Sequence, residues 1–300
     1  MSIKVLAIIN PTSGKGKITE KIEKIKQNLE KNKMEVEIEL TQKKYNAKDI
    51  IQDKIQDQDL VLVCGGDGTL NETVTAFMEN EIKDVSLTFI PFGTTNDLAR
   101  TLHIPIKDIS ITEKLLESKA RLIDIGKFNE NKYFCYVAAF GVITDVAYKT
   151  SQKAKHRFGR LAYYAKAIKE LIHIPTYHIH VEHEGKIWEE EVIYGGISNS
   201  ESIAGFRWFA PGEILLDDGK FECIFIKKPK KWTGYFSLLK SFWRKDYTDN
   251  KYIHYIQTNE IKIIADQNIK WTIDGEFAGE QKEVKIENMQ KKIEMTILDN

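Results

Sequence analysis

DLVLVCGGDGTLNETV, Asp59 to Val74, decides how the rest of the chain is read. Leu60 to Val63 is an apolar run too short for a helix, as a buried strand is. It stops at Gly65-Gly66-Asp67-Gly68-Thr69, and Leu70, Val74 and Phe77 then recur at helical spacing behind Asn71 and Glu72. The stretch predicts strand, glycine loop, helix. Glycine has no Cβ and reaches positive φ cheaply, so backbone N–H groups in such a loop can approach an anion closely. The helix N-terminus behind it favours negative charge, and a phosphate is the natural ligand. Asp67 would repel a bare phosphate but suits one that arrives with a divalent cation. Asn71 and Glu72 add an amide and a second carboxylate to the first turn. An ordinary strand-to-helix turn with Asp67 as its cap is the plainer reading of the same residues.

Upstream the same alternation repeats. Residues 3–9 form a continuous apolar run of the kind a buried parallel strand shows, ending at Asn10-Pro11-Thr12-Ser13-Gly14. Ile18, Ile22, Ile25 and Leu29 then recur at helical spacing among charged residues. Residues 34–40 alternate Val36, Ile38 and Leu40 with glutamates, a half-buried strand with Thr41 at its end. A helix near 47–55 precedes the Leu60 strand, and a strand over 85–90 runs into Pro91-Phe92-Gly93-Thr94-Thr95-Asn96-Asp97. This order predicts a parallel sheet with helices on both faces, whose ligands bind off the carboxyl ends of the strands. The segments at Asn10, Thr41, Gly65 and Gly93 should therefore converge on one edge. A Walker A reading of Ser13-Gly14-Lys15-Gly16-Lys17 fails: Ile9 and Pro11 stand where its first glycine is needed, and neither lysine precedes Ser or Thr.

The bulk numbers narrow the class. The chain has 300 residues with 44 Lys+Arg against 44 Asp+Glu, enough for two domains and without the basic excess of a general nucleic-acid binder. No apolar run approaches the ~20 residues a bilayer crossing needs, and the N-terminus passes directly into a strand pattern, so a cytoplasmic location is expected. Cys64, Cys135 and Cys223 lie far apart in apolar contexts and read as buried thiols.

Beyond the predicted helices at 97–102 and 111–116 and a crossing strand at 121–128, the texture changes. Short strands follow at 133–140, 177–182, 191–197, 221–226, 252–256, 260–264, 269–273 and 283–286, with helices only near 161–172 and 234–243. That spacing predicts a sandwich-like β domain beginning near residue 127. His178 and His180 share one strand face and could chelate a metal, but no further ligand stands at convincing spacing, so a solvated face is expected. Leu215-Leu216-Asp217-Asp218-Gly219-Lys220-Phe221 reads as a turn opening a hairpin, or equally as a hard-cation site built from a carboxylate and backbone carbonyls. Asp274-Gly275-Glu276 reads as another hairpin turn, one of whose carboxylates could accept a proton from a substrate hydroxyl.

Taken together, NPTSG at Asn10, GGDGTLNE at Gly65, PFGTTNDLAR at Pro91, LLDDGKF at Leu215 and DGE at Asp274 resemble the diacylglycerol kinase/sphingosine kinase-type lipid kinase family, in its soluble bacterial diacylglycerol kinase branch. NAD kinases and phosphofructokinase-like enzymes share loops related to GGDGT; the later motifs favour the lipid kinases. The resemblance implies a doubly wound, phosphofructokinase-like or NAD-kinase-like α/β catalytic domain over 1–126 joined by about 288–300, and a β-sandwich domain over 127–287. It implies phosphoryl transfer from ATP, held between the two domains, to a lipid hydroxyl. Nucleotide contacts fall at Asn10, Pro11, Thr12, Ser13, Gly14, Thr41, Gly66, Asp67, Gly68, Thr69, Leu70, Asn71, Glu72 and Thr94. A Mg²⁺-linked network falls at Asp67, Asp97 and Asp124, and a structural Mg²⁺ at the Asp218 carboxylate with the carbonyls of Leu215 and Lys220. Glu276, with Asp274 as the alternative, would be the proton acceptor. Glu213 departs from the family's usual small or basic residue near that structural metal.

The most favoured activity is phosphorylation of diacylglycerol to phosphatidic acid; alternatives are a sphingoid base, an undecaprenol-type alcohol or NAD as acceptor, or a nucleotide-sensing regulatory relative without turnover. A lipid substrate requires peripheral contact with the inner face of the membrane, no nucleic acid partner is expected, and a homodimer is allowed. Lys227-Lys228-Pro229-Lys230-Lys231-Trp232, followed by aromatics up to Trp243, offers basic residues interleaved with rings for such a contact, as an alternative to a helix packed on its own sandwich. The basic segment 149–160 is a second candidate.

Overall fold

A computed structural model describes residues 2–13, 18–42, 46–105, 110–113, 119–141, 175–203, 206–210, 214–247 and 249–297. The expected helix at 161–172, the basic segment 149–160, Gly14 and Glu213 lie outside the described residues. The chain divides into two compact units: 1–136 with 199–220 and 287–300, and 137–198 with 221–286. The first unit thus takes in 127–136 and 199–220 as well as the span expected for the catalytic domain.

In the first unit, β1 (Lys4–Ile9), α1 (Ile18–Lys31), β2 (Glu35–Leu40), α2 (Asn46–Lys54), β3 (Leu60–Gly65), α3 (Asp67–Glu79), β4 (Ser86–Pro91) and α4 (Asp97–Thr101) alternate as the sequence implies. The strands are parallel in the order β2-β1-β3-β4. Their patterns follow their places. All of β3 is buried, as is β1 beyond Lys4, because both are flanked by strands on either side; β2, at the edge, alternates exposed and half-buried residues. A 3₁₀ helix (Ser110–Glu113) begins the helix expected over 111–116, whose remainder lies outside the described residues, and β5 (Lys119–Phe128) and β6 (Lys132–Phe134) form a hairpin turned at Asn129, which has φ 53°. β10 (Ser202–Ile203) pairs with β11 (Phe206–Arg207).

The second unit contains β7 (Val137–Gly141), β8 (Tyr177–His183), β9 (Lys186–Ser198), β12 (Phe221–Lys227), α5 (Trp232–Arg244), β13 (Ile253–Thr258) and β14 (Glu260–Ile273). β12 pairs with β13 and β9, β14 with β7 and β8, and β9 with β7 and β8, all antiparallel. The first parts of β9 and β14 embrace β8 and their later parts embrace β7, so two long strands serve both layers. This corrects the expected break between 264 and 269: Asp266, Gln267 and Asn268 are exposed residues inside one continuous strand, which passes there from one partner to the other. The expected strand at 283–286 and the segment from about 288 expected to rejoin the catalytic domain are likewise one strand through Ile297, β15 (Glu276–Ile297), with positive φ at Gly279 and Lys291 marking local irregularities rather than ends. Conversely, the run 133–140 is two strands, β6 and β7, separated at Cys135 and Tyr136, where the chain leaves the first unit. The last part of β15 lies parallel to β4, with Met295 opposite Leu87. Cys64, Cys135 and Cys223 are buried free thiols.

Candidate active site

The turns after the parallel strands meet because their strands are neighbours. Thr41 N–H donates to Ile9 O (2.9 Å), Asn10 N–H to Cys64 O (2.8 Å), and Phe92 and Gly93 N–H to Gly65 O (2.6 and 3.1 Å). The loops after β1 and β3 stand at the switch point of this strand order, where ligands bind in open parallel sheets. Asn10 ties them together. Its Oδ1 accepts from Thr12 N–H (3.0 Å) and Thr12 Oγ1 (2.8 Å), closing an Asx turn, while Nδ2 donates to Thr69 Oγ1 (3.1 Å).

The N-terminus of α3 is left open. Gly66 holds the cap position in extended conformation, and no side chain caps the helix. Its first-turn N–H groups therefore have no side-chain acceptor and suit an anion. A Cβ on Gly93 would meet Gly66 Cα at 2.7 Å and Asn96 Oδ1 at 2.6 Å, so the two loops touch backbone to backbone.

Asp67 is not a cap. Its Oδ2 accepts from Thr95 Oγ1 (2.7 Å) and Asn96 N–H (2.8 Å), which binds the glycine loop to the turn after β4. Asn96 makes this geometry in the left-handed region, φ 49°, with Nδ2 donating to Gly93 O (3.0 Å). Asp67 Oδ1 is buried and accepts no hydrogen bond. Burial raises the Asp67 carboxyl above its ordinary range, and the charge of Asp97 adds to the rise against the hydrogen bonds that lower it. Asp97, fully buried, accepts from Ser202 Oγ (2.5 Å).

Around it lies a buried polar network that sequence reading missed. Thr101 Oγ1 and Ser200 Oγ stand 2.5 Å apart, Glu201 N–H donates to Thr101 Oγ1 (3.2 Å), and Asn199 Nδ2 donates to Asp124 O (2.9 Å). Asn199-Ser200-Glu201-Ser202 carries no motif, and only its wholly buried polar character marks it. Thr95 could have been found: it stands beside the chosen Thr94, which is exposed.

Asp124 serves a different loop. Its Oδ2 accepts from Gly219 N–H (2.7 Å) and its Oδ1 from Lys291 N–H (2.8 Å), while its own N–H donates to Leu216 O (2.6 Å). It therefore clamps the segment that carries Asp218, whose Oδ1 accepts from Lys220 N–H (3.0 Å). Burial raises the Asp124 carboxyl, and the nearby Asp218 charge contributes to the rise. Among the described residues no three His, Cys, Asp or Glu gather closely enough to hold one metal ion.

Asn71 and Glu72 are engaged with neighbouring elements. Asn71 Nδ2 donates to Tyr133 O (3.0 Å), and Glu72 Oε2 accepts from Ala47 N–H (3.3 Å) in the first turn of α2. Of His178 and His180, the second stands between Glu189 Oε1 (3.1 Å) and Glu182 Oε1 (3.2 Å), as a solvated charged face would.

In the second unit, Asp274 and Gly275 form the two-residue turn between β14 and β15, both with positive φ (47° and 81°), as an Asp-Gly type I′ turn requires. Asp274 is buried and paired reciprocally with Val137: its N–H donates to Val137 O (2.9 Å) and its Oδ1 accepts from Val137 N–H (3.1 Å). Glu276 is exposed.

Residues 4–128 match the diacylglycerol kinase catalytic domain model, and residues 137–290 match the YegS C-terminal NAD kinase beta sandwich-like domain. A diacylglycerol kinase of Staphylococcus carnosus (strain TM300) is 32% identical over 91% of this chain and 88% of its own length. The chain belongs to the diacylglycerol kinase family. A Bacillus subtilis (strain 168) member is 30% identical over 91% of this chain and 89% of its own. A Bacillus anthracis str. Sterne crystal structure, described as a candidate diacylglycerol kinase, superposes with TM-score 0.81 at 26% identity, covering 97% of this chain and 96% of that one. The chain is thus a lipid kinase by family; the catalytic-domain match falls within the first unit, and the sandwich-like match covers the second unit together with 199–220 and 287–290 of the first. No helix among its described residues is long and apolar enough to cross a membrane.

Proposed function

We propose that this diacylglycerol kinase family member transfers the γ-phosphoryl group of ATP to the hydroxyl of diacylglycerol, giving phosphatidic acid, in a Mg²⁺-dependent reaction at the cytoplasmic face of the membrane. The observation that carries the reading is the uncapped N-terminus of α3 beside a buried, unpartnered Asp67 Oδ1. Phosphoryl transfer needs positioning and charge neutralisation more than covalent chemistry. Open amides supply the first and carboxylates placed for a cation the second. The strand order supports a doubly wound, phosphofructokinase-like first unit.

Asn10, Pro11, Thr12, Ser13, Thr41, Gly66, Gly68, Thr69, Leu70 and Thr94 line the nucleotide, together with Gly14. Asn71 and Glu72 act by holding α3 against β6 and α2. Asp67 and Asp97 fit a hard cation, since the two carboxylates are close enough to repel each other and Asp67 Oδ1 accepts no hydrogen bond. A Mg²⁺ bound there would neutralise charge developing on the transferred phosphoryl group. The Asp218 carboxylate with the carbonyls of Leu215 and Lys220 suits a structural Mg²⁺, and Asp124 positions that loop. Glu276 accepts the proton of the attacking hydroxyl. Asp274 is committed to Val137 and holds the turn that presents Glu276.

The test uses purified protein, radiolabelled ATP, Mg²⁺ and mixed micelles containing diacylglycerol, a sphingoid base, an undecaprenol-type alcohol or no lipid with added NAD. Label in phosphatidic acid, separated by thin-layer chromatography, is expected. Label only in another acceptor would overturn the substrate, and no label in any would favour a regulatory relative.

A further inference from the structure

Helix α5 carries an outer face that its own unit does not cover. Phe236, Leu239 and Trp243 are 71%, 65% and 85% exposed, and they stand three and four residues apart, so they form one stripe. The other large exposed apolar residues among the described ones, such as Leu40, Ile187 and Phe277, are scattered over separate elements. Lys240 and Arg244, both exposed, flank the stripe one residue on from Leu239 and Trp243.

The inward side is firmly held. Leu238 is buried, and Asn250 Nδ2 donates to Ser237 O (3.1 Å), Ser237 Oγ (3.2 Å) and Ser241 Oγ (3.0 Å). The Phe242 ring meets Tyr247 edge-on, with centroids 5.5 Å apart. The helix is therefore a fixed platform.

Charge identifies what covers the stripe. Residues 227–251 contain eight Lys or Arg and two Asp, in a chain whose formal charge sums to zero. α5 itself contains no acidic residue. A second copy of this chain seated face to face would set one basic cluster against its equal. An anionic bilayer meets both requirements, since acyl chains accept the stripe and headgroups the cations.

We infer that α5 lies in the plane of an anionic membrane surface, with Phe236, Leu239 and Trp243 inserted among the lipids and Lys240 and Arg244 on their phosphates. The inference rests on the lipid-kinase reading only for its purpose; the surface itself is independent of which hydroxyl is phosphorylated. Docking through a fixed helix would hold the sandwich unit at the interface where a lipid acceptor resides.

The full chain is tested by flotation with phosphatidylcholine vesicles, with and without phosphatidylglycerol. Wild type is expected to float with the anionic vesicles and to release as salt is raised. Phe236→Ser/Leu239→Ser/Trp243→Ser should weaken binding by about 100-fold or more, since each change removes a buried apolar group from the lipid. Lys240→Glu/Arg244→Glu should abolish the preference for phosphatidylglycerol. All five positions are exposed, and an unchanged melting temperature confirms an intact fold. Phosphorylation of a short-chain, micelle-dispersed diacylglycerol should stay at the wild-type rate in both variants, with loss confined to vesicle-bound substrate.

Wild-type flotation by the triple variant overturns the inference. So does sedimentation showing a wild-type dimer that the triple variant breaks while vesicle binding persists, or retention by nucleic acid rather than anionic vesicles. A wild type that floats through α5 yet phosphorylates no lipid leaves the docking surface standing and removes the kinase reading.

Discussion

Asp67→Asn separates two roles that one carboxylate holds. In the folded chain burial raises the Asp67 carboxyl, Asp97 adds to the rise, and the bonds from Thr95 and Asn96 oppose it. The sign follows from linkage. The folded-state value lies above the unfolded value of about 3.9, so the folded chain holds this proton more tightly. Its stabilising contribution is present below the unfolded value and is lost as pH rises through the folded one. At neutral pH the ionised group therefore opposes folding. Asparagine keeps an oxygen for Thr95 Oγ1 and Asn96 N–H but carries no charge. It should stabilise the chain by about 1 kcal/mol and raise the melting temperature by roughly 2–4 °C. If Asp67 neutralises the cation as proposed, removing its charge should lower kcat by about 10²–10³-fold.

Asp67→Ala sets the comparison, because it strands both donors at about 1–3 kcal/mol for each that stays buried, and should melt lower than wild type. Scanning calorimetry across pH, with kinase assays alongside, checks both variants. The advantage of asparagine over wild type should shrink as pH falls toward about 4. Added Mg²⁺ should raise the melting temperature of wild type and not of Asp67→Asn. An asparagine variant that melts below wild type at neutral pH, or that keeps full activity, refutes the reasoning.

Four further substitutions address the remaining parts of the site. Glu276→Gln should lower kcat by about 10²–10⁴-fold without changing the melting temperature, since Glu276 is exposed, whereas Asp274→Ala should destabilise by about 1–3 kcal/mol through the lost bond to Val137 N–H and the strained positive φ; a stable, inactive Asp274→Ala would reverse the assignment. Gly93→Ala puts a Cβ 2.7 Å from Gly66 Cα, and the resulting displacement should weaken ATP binding by about tenfold or more in titration calorimetry, from about 1–3 kcal/mol of overpacking. Asp124→Ala leaves Gly219 and Lys291 N–H without their acceptor, so hydrogen exchange at 215–220 should quicken and lose its response to Mg²⁺; unchanged protection there would show that Asp124 does not hold the loop.

The first half of the fold was legible because parallel strands buried on both faces write continuous apolar runs, and the turns after them write glycine, proline and asparagine. From β1 to α4 each element stands where its residues placed it, and the turns meet on one edge as adjacency demands. The second half was harder. Polar residues at Asp266 to Asn268 look like a turn, but β14 carries them exposed while it changes partners between β8 and β7. Only pairing partners distant in sequence decide that a strand continues there.

The site divides in the same way. GGDGT announces an anion loop by itself, because glycine amides and a helix N-terminus act locally. What Asp67 does with its two oxygens depends on Thr95 and Asn96, which arrive from the next strand of the sheet. The sorting of Asp97 to Ser202 and of Asp124 to Gly219 and Lys291 depends on segments about a hundred or more residues away. The amino-acid sequence alone determined which chemistry the chain carries, since residue type and short spacing set donors, acceptors and charge. Tertiary structure alone decided which carboxylate is buried with an oxygen that accepts no hydrogen bond, which clamps a loop and which stays exposed, since burial and hydrogen-bond partners are properties of contacts between distant segments.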